Sequence, residues 1–114
     1  MDVRNSSLLC ISGTASVGPA GESLHPGDFA AQAERMLRNV TALLAAAGAT
    51  WQDVFKTTIY LKDMTFYGEL AEIRARFFAG QGITLFPAST CVQAALCRPE
   101  LLCEMEVLAT VRGA

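Results

Sequence analysis

The chain has 114 residues, 52% of them hydrophobic and 18% charged, with a formal net charge of −2. That length suits one domain spanning 1–114, and the scattered placement of its nine Lys and Arg residues argues against nucleic acid, which needs a basic footprint. Neither a secretory signal nor an apolar run of membrane length is recognisable, so the expectation is a cytoplasmic protein with no membrane partner.

Residues 7–13 (SLLCISG) form an apolar run ending in glycine, which predicts a buried strand, and the Gly-, Pro- and Ser-rich stretch 13–27 predicts a loop. Asp28 is placed to cap a first helix. Phe29, Ala33, Met36, Leu37, Val40, Leu43, Leu44 and Ala47 then recur at helical spacing, and Gly48 supplies the stop. Residues 50–53 (TWQD) have the form of a capping box on a single helical turn. Residues 54–61 (VFKTTIYL) are β-branched and aromatic, so they predict a strand. A second helix is expected from near Thr65, with Phe66, Leu70, Ile73 and Phe77 on one face, ending at Gly80-Gln81-Gly82.

Residues 90–96 and 101–111 each alternate as half-buried strands, and 97–100 (CRPE) carries the turn chemistry of a hairpin between them. On the last strand Cys103, Met105, Val107 and Ala109 share the face that reads as core. The opposite face carries Leu102, Glu104, Glu106 and Leu108. Two carboxylates between leucines are costly unless paired or functional, so chemistry is sought there.

The element order β, α, β, α, β, β predicts an α+β sandwich with both helices on one face of a mixed sheet. The other face and the apolar excess then point to a subunit contact. The four cysteines have no C-x-x-C pair, and the only histidine, His25, lies in a separate segment. They read as small buried hydrophobes rather than as a metal site or disulfides.

Several phrases together resemble the RidA/YjgF family, also described as L-PSP endoribonuclease-like. ISGTASV followed by HPGDFAAQ is similar to that family's strand, loop and first helix. RNVTALLAAAGATWQDVFKTTIYLKDM is similar to its middle section, FPASTCV to its PAR-[ST]-x-V phrase, and EMEVLA to its terminal strand. The resemblance implies a chorismate-mutase-like fold in which three sheets close into a barrel, as a homotrimer with small-molecule clefts between subunits. Deaminating members hydrolyse enamine or imine metabolites with no metal or organic cofactor. An arginine of the PAR phrase holds the substrate carboxylate, and a glutamate on the last strand handles a proton and the attacking water.

Cys91 and Glu104 match that pattern. The arginine position is Ser89, and a hydroxyl cannot imitate the bidentate fork of a guanidinium. An expected asparagine on the second helix falls near Ala71 or Glu72, and the family's first strand, with its cleft tyrosine, is nearly absent before Val3. GTAS, HPGD and CRPELLCEMEVLA also resemble the second half of chorismatases, whose pocket is lined by a cysteine and a glutamate that correspond to Cys97 and Glu104.

The implied function is a cofactor-free hydrolase or deaminase on a small enamine, imine or carbonyl metabolite. The alternatives are a non-catalytic trimer that binds a metabolite or protein, and a chorismatase-like hydrolase that releases pyruvate. Glu104 is the candidate general acid/base, against a structural carboxylate paired with Arg98 or Arg112 of a neighbour. Ser89, Thr90, Cys91, Cys97 and Arg98 are the candidate substrate-binding residues. Arg98 could supply the missing positive charge or lower the Cys97 thiol pKa, and Ser89 and Thr90 could instead mark a strand start. Glu106 reads as structural or solvated and Cys10 as a buried inert thiol, while strand phase leaves open whether Tyr60 faces the cleft.

Overall fold

A computed structural model describes residues 5–112. The expected remnant of an earlier strand before Val3 lies outside these residues. The first strand, β1, is Ser6–Ala15, longer than the apolar run alone suggests. The first helix, α1, is Phe29–Ala46, and the Asp28 carboxylate accepts from the Ala31 amide at 3.1 Å as its N-cap. Its buried stripe is Phe29, Gln32, Ala33, Met36, Leu37, Val40 and Leu44. Leu43 and Ala47, expected on that stripe, are exposed. Gly48 takes φ +80°, a left-handed conformation that closes the helix and turns the chain into the Thr50–Asp53 capping box.

Strand β2 is Val54–Leu61 and helix α2 is Tyr67–Gly80, entered through a short turn in which the Asp63 carboxylate accepts from the Thr65 amide. Leu70, Ile73 and Phe78 are the buried residues of α2. Phe66 and Phe77 of the expected face are half-buried against the core, and Phe78, buried against Trp51 and Phe86, widens that face beyond the expected residues.

Strand β3 is Ala88–Gln93 and β4 is Cys103–Arg112. The two do not form a hairpin, contrary to expectation. The sheet order is β1-β4-β2-β3, with β4 antiparallel to both β1 and β2, and β3 parallel to β2. β2 pairs with β3 on one side and with β4 on the other, and so stands between them. Residues 94–102 carry the chain across the end of β2. There the Ala94 amide donates to Leu61 O, and the Lys62 amide to Leu102 O. A parallel neighbour cannot be reached by a tight turn, so β3 arrives through α2, as parallel pairs require.

The core face of β4 is as predicted: Cys103, Met105, Val107 and Ala109 are buried, while Glu104, Glu106 and Leu108 are half-buried on the opposite face. Helix α1 packs on β1, β4 and α2. Among the described residues no helix is long and apolar enough to cross a membrane. The register of β1 against β4 slips between Ile11, paired with Val107, and Thr14, paired with Met105, so Ser12-Gly13 forms a bulge opposite Glu106. That irregularity shapes the site.

Candidate functional site

A cavity of about 610 Å³ opens beside the bulge of β1. Ser12, Gly13 and Thr14 line it from the bulge, Arg35 and Asn39 from α1, Cys97, Arg98 and Leu101 from the connection after β3, and Glu104 from β4. A β-carbon added at Gly13 would stand 3.4 Å from the Glu104 carboxyl carbon, in contact with it, and glycine leaves that space open. The open bulge therefore leaves the carboxylate accessible. Glu104, Cys97 and Arg98 come together as expected, although through a long connection instead of a hairpin.

The walls are held by side chains bonded to backbone. Asn39 Nδ2 donates to Ala15 O at 2.8 Å and to Val17 O at 2.9 Å, and its Oδ1 accepts from Arg35 Nε at 3.1 Å. Arg98 Nη1 donates to Ser23 Oγ at 3.0 Å rather than to Glu104, and Ser23 Oγ donates to Glu100 Oε2 at 2.7 Å. The hydrogen bond from Ser23 is the main reason the Glu100 carboxyl lies below its ordinary range. Gln32, fully buried, donates to His25 O and Glu100 O and accepts from the Leu102 amide. It ties the connection carrying Cys97 and Arg98 to α1.

Glu106 has a different environment. It accepts the phenol proton of Tyr60, and this bond, more than burial or the neighbouring carboxylates, raises the Tyr60 pKa above its ordinary value of 10.0. Tyr60 stands opposite Glu104 in the β2–β4 register but does not line its cavity. The two carboxylates of the face are therefore separated: Glu106 has a partner, and Glu104 faces open space. His25 is exposed and contributes only its carbonyl to Gln32.

Ser89, Thr90 and Cys91 lie on β3, at the opposite edge of the same sheet. Ser89 Oγ accepts from Thr57 Oγ1 at 3.1 Å and from Arg74 Nη1 at 3.2 Å, while Lys56 Nζ donates to Thr90 Oγ1 at 2.6 Å. Burial raises the Cys91 thiol pKa and the charge of Arg74 opposes that rise. Arg74 Nε is buried without a hydrogen-bond partner. A guanidinium thus stands beside Ser89, supplied by α2 instead of by β3. Arg74, Arg35 and Asn39 are absent from the sequence-based candidates, yet the i, i+4 spacing of Arg35 and Asn39 is a readable helical pair.

Cysteine placement departs from expectation at two positions. Cys103 is buried, with its thiol pushed up to about 12, but Cys10 and Cys97 are exposed. Cys10 sits on an edge strand, opposite Leu108 on the face away from the helices. Among the described residues no group of three or more His, Cys, Asp or Glu side chains is placed to hold a metal ion.

Fold and site together define a two-helix, four-stranded α+β protein with a carboxylate-bearing cavity at one edge of its sheet. The sequence matches the family described as endoribonuclease L-PSP over residues 2–111, and the chain belongs to that family, the RidA/YjgF proteins. A RutC family protein of Haemophilus influenzae is 35% identical over 102 residues, covering 90% of this chain and 78% of the relative. The crystal structure of the YjgF gene product from E. coli superposes with a TM-score of 0.81 at 35% identity, covering 99% of this chain and 85% of that one. That of E. coli TdcF with bound serine gives a TM-score of 0.82 at 33% identity, covering 94% and 82%.

Proposed function

We propose that the protein is a hydrolytic deaminase of small enamine or imine metabolites, with Glu104 as proton carrier in a cleft completed by the neighbouring subunit of a homotrimer. One observation carries this reading: Glu104 stands over Gly13 in a cavity it shares with Cys97 and Arg98, while Glu106 is engaged by Tyr60. The serine found in TdcF supports a small polar ligand for the fold. Subunit contact is supported by apolar side chains on both sheet edges, with Leu8 of β1 64% exposed and Val92 of β3 40% exposed. A head-to-tail ring would bring the β3 edge of one copy to the β1 edge of the next. The Arg74–Ser89 group would then face the Glu104 cavity across the contact, supplying a guanidinium despite the serine at 89.

The chemistry follows from one carboxyl group. Protonated Glu104 delivers its proton to the terminal carbon of the enamine, giving an iminium. The resulting carboxylate takes a proton from water as the water oxygen adds to the iminium carbon. Glu104 then returns that proton to the carbinolamine nitrogen, the C–N bond breaks as ammonia leaves, and the hydroxyl proton passes back to the Glu104 carboxylate as the 2-oxo acid forms. Positioned proton transfer of this kind typically contributes about two to four decades in rate.

The test is accelerated ammonia release from 2-aminoacrylate or 2-iminobutyrate, compared with Glu104→Gln. A drop of about two decades or more is expected from loss of the proton carrier. Equal rates would remove Glu104 from the reaction. The shared Cys97–Glu104 lining favours one second reading, a chorismatase-like hydrolase, and pyruvate release from chorismate would identify it. Binding without consumption of any of these compounds would leave a metabolite-binding trimer.

A further inference from the structure

We infer that the Glu104 cavity takes a small organic dianion, a dicarboxylate whose two acid groups are met separately by Arg35 and Arg98. The inference rests on the reading of this cavity as the ligand site, and it adds the class of ligand. Both guanidiniums line the cavity, and each is held by a side chain tied to the same bridged segment. Val17 and Ser23 form an isolated antiparallel bridge. Asn39 holds the Val17 carbonyl and orients Arg35, while the Ser23 hydroxyl, from the other side of that bridge, receives Arg98. Bridged residues of this kind lie about 5 Å apart, so the two arginine anchors are neighbours although they come from α1 and from the connection before β4.

Each guanidinium uses a single nitrogen in its recorded contact. Arg35 uses Nε on Asn39, which leaves its two terminal nitrogens as one edge of the fork. Arg98 uses Nη1 on Ser23, which leaves Nε and Nη2 as another. A planar fork edge matches one carboxylate, so two forks match two carboxylates better than they match one. Among the described residues Glu104 is the only acidic side chain lining the cavity, set against the two guanidiniums. Glu100 lies close enough to Arg98 to feel its charge but is fully exposed and is not part of the lining.

The test is calorimetric titration of the assembled wild-type protein with 2-oxoglutarate and with 2-oxopentanoate, which has the same five-carbon chain without the second acid. The dianion is expected to bind about tenfold tighter or more, the size of one charge-assisted pair. Arg35→Gln and Arg98→Gln should each bring that ratio close to one while moving the monoanion by less than about threefold, and Arg→Lys at either position should restore part of it. Circular dichroism of each variant checks that the fold persists. Equal affinities in the wild type, no binding of either acid, or an unchanged ratio in both glutamine variants would overturn the inference. Because the readout is binding, a protein that releases no ammonia but keeps the preference would refute deamination and leave the dianion site standing.

Discussion

Gly13 and Glu104 face each other across the bulge of β1, and a β-carbon on Gly13 would meet both the carboxyl carbon and Oε1 of Glu104 at 3.4 Å. That distance is ordinary contact, so Gly13→Ala fits without moving the backbone. The two γ-carbons of valine have no such room and must push the carboxylate aside. A misplacement near 1 Å can cost about a hundredfold in rate, so Gly13→Val is expected to lower turnover by one to two decades. Gly13→Ala should lose much less, and both should melt close to the wild type because Gly13 is exposed. Equal activity of Gly13→Val and wild type would show that the bulge does not set the carboxylate position.

The Tyr60–Glu106 bond predicts a pH dependence of stability with a definite sign. The hydrogen bond to Glu106, then burial and the Glu106 and Glu104 charges, hold the phenol above 10.0, so the folded state binds this proton more tightly than the unfolded chain. The contribution is complete below the unfolded value and is lost as pH rises through the raised folded value. Chemical denaturation across the range from about pH 8 to pH 11 should show stability falling above about pH 10. Tyr60→Phe should remove that alkaline component, and Glu106→Gln should diminish it. The same alkaline slope in Tyr60→Phe would assign it to other groups.

Much of this fold was legible because its signals are local. Asp28, the apolar stripe through Leu44 and Gly48 mark α1 within a single stretch of chain. The alternation from Cys103 to Ala109 likewise identifies the buried face of β4. The hairpin failed because a turn sequence such as CRPE says nothing about a third strand that competes for pairing. β2 pairs with both β3 and β4, and its preference for a central place is a property of the whole sheet. The site was half legible for the same reason. Glu104, Cys97 and Arg98 lie near one another in sequence and in space, whereas Arg35 and Asn39 join them through the packing of α1 on β1. Arg74 reaches Ser89 because α2 lies over the edge of the sheet, which no strand pattern reveals.

Gln32 is a buried amide whose partners are all backbone groups: His25 O, Glu100 O and the Leu102 amide. Gln32→Leu keeps the volume near that of glutamine and leaves those three groups without their partner. The expected loss is about 2–3 kcal/mol in urea denaturation, the cost of unsatisfied buried polar groups. The connection carrying Cys97 and Arg98 should also loosen, with faster amide exchange at Leu102. A stability within about 0.5 kcal/mol of wild type would mean that water replaces the amide and that the clamp is dispensable.

Ser89, beside Arg74, lies on the β3 edge of the sheet, whereas the Glu104 cavity opens beside the β1 edge, so the proposed cleft draws Arg74 and Glu104 from different subunits. Sedimentation equilibrium should first give a mass about three times 12.2 kDa, as a closed three-membered ring requires. Arg74→Gln should then lower turnover by about one to two decades through loss of a charge-assisted contact, and Ser89→Arg in that background should recover part of it. The decisive measurement mixes the two defects. Arg74→Gln and Glu104→Gln chains, unfolded together and refolded at equal ratio, form rings in which some clefts draw Arg74 from one chain and Glu104 from its neighbour. Random assembly makes about one cleft in four wild type at both positions, so close to a quarter of wild-type activity should return. If each variant is inactive alone and the mixture is inactive too, Arg74 does not act across the subunit contact. A monomeric mass would remove the contact itself.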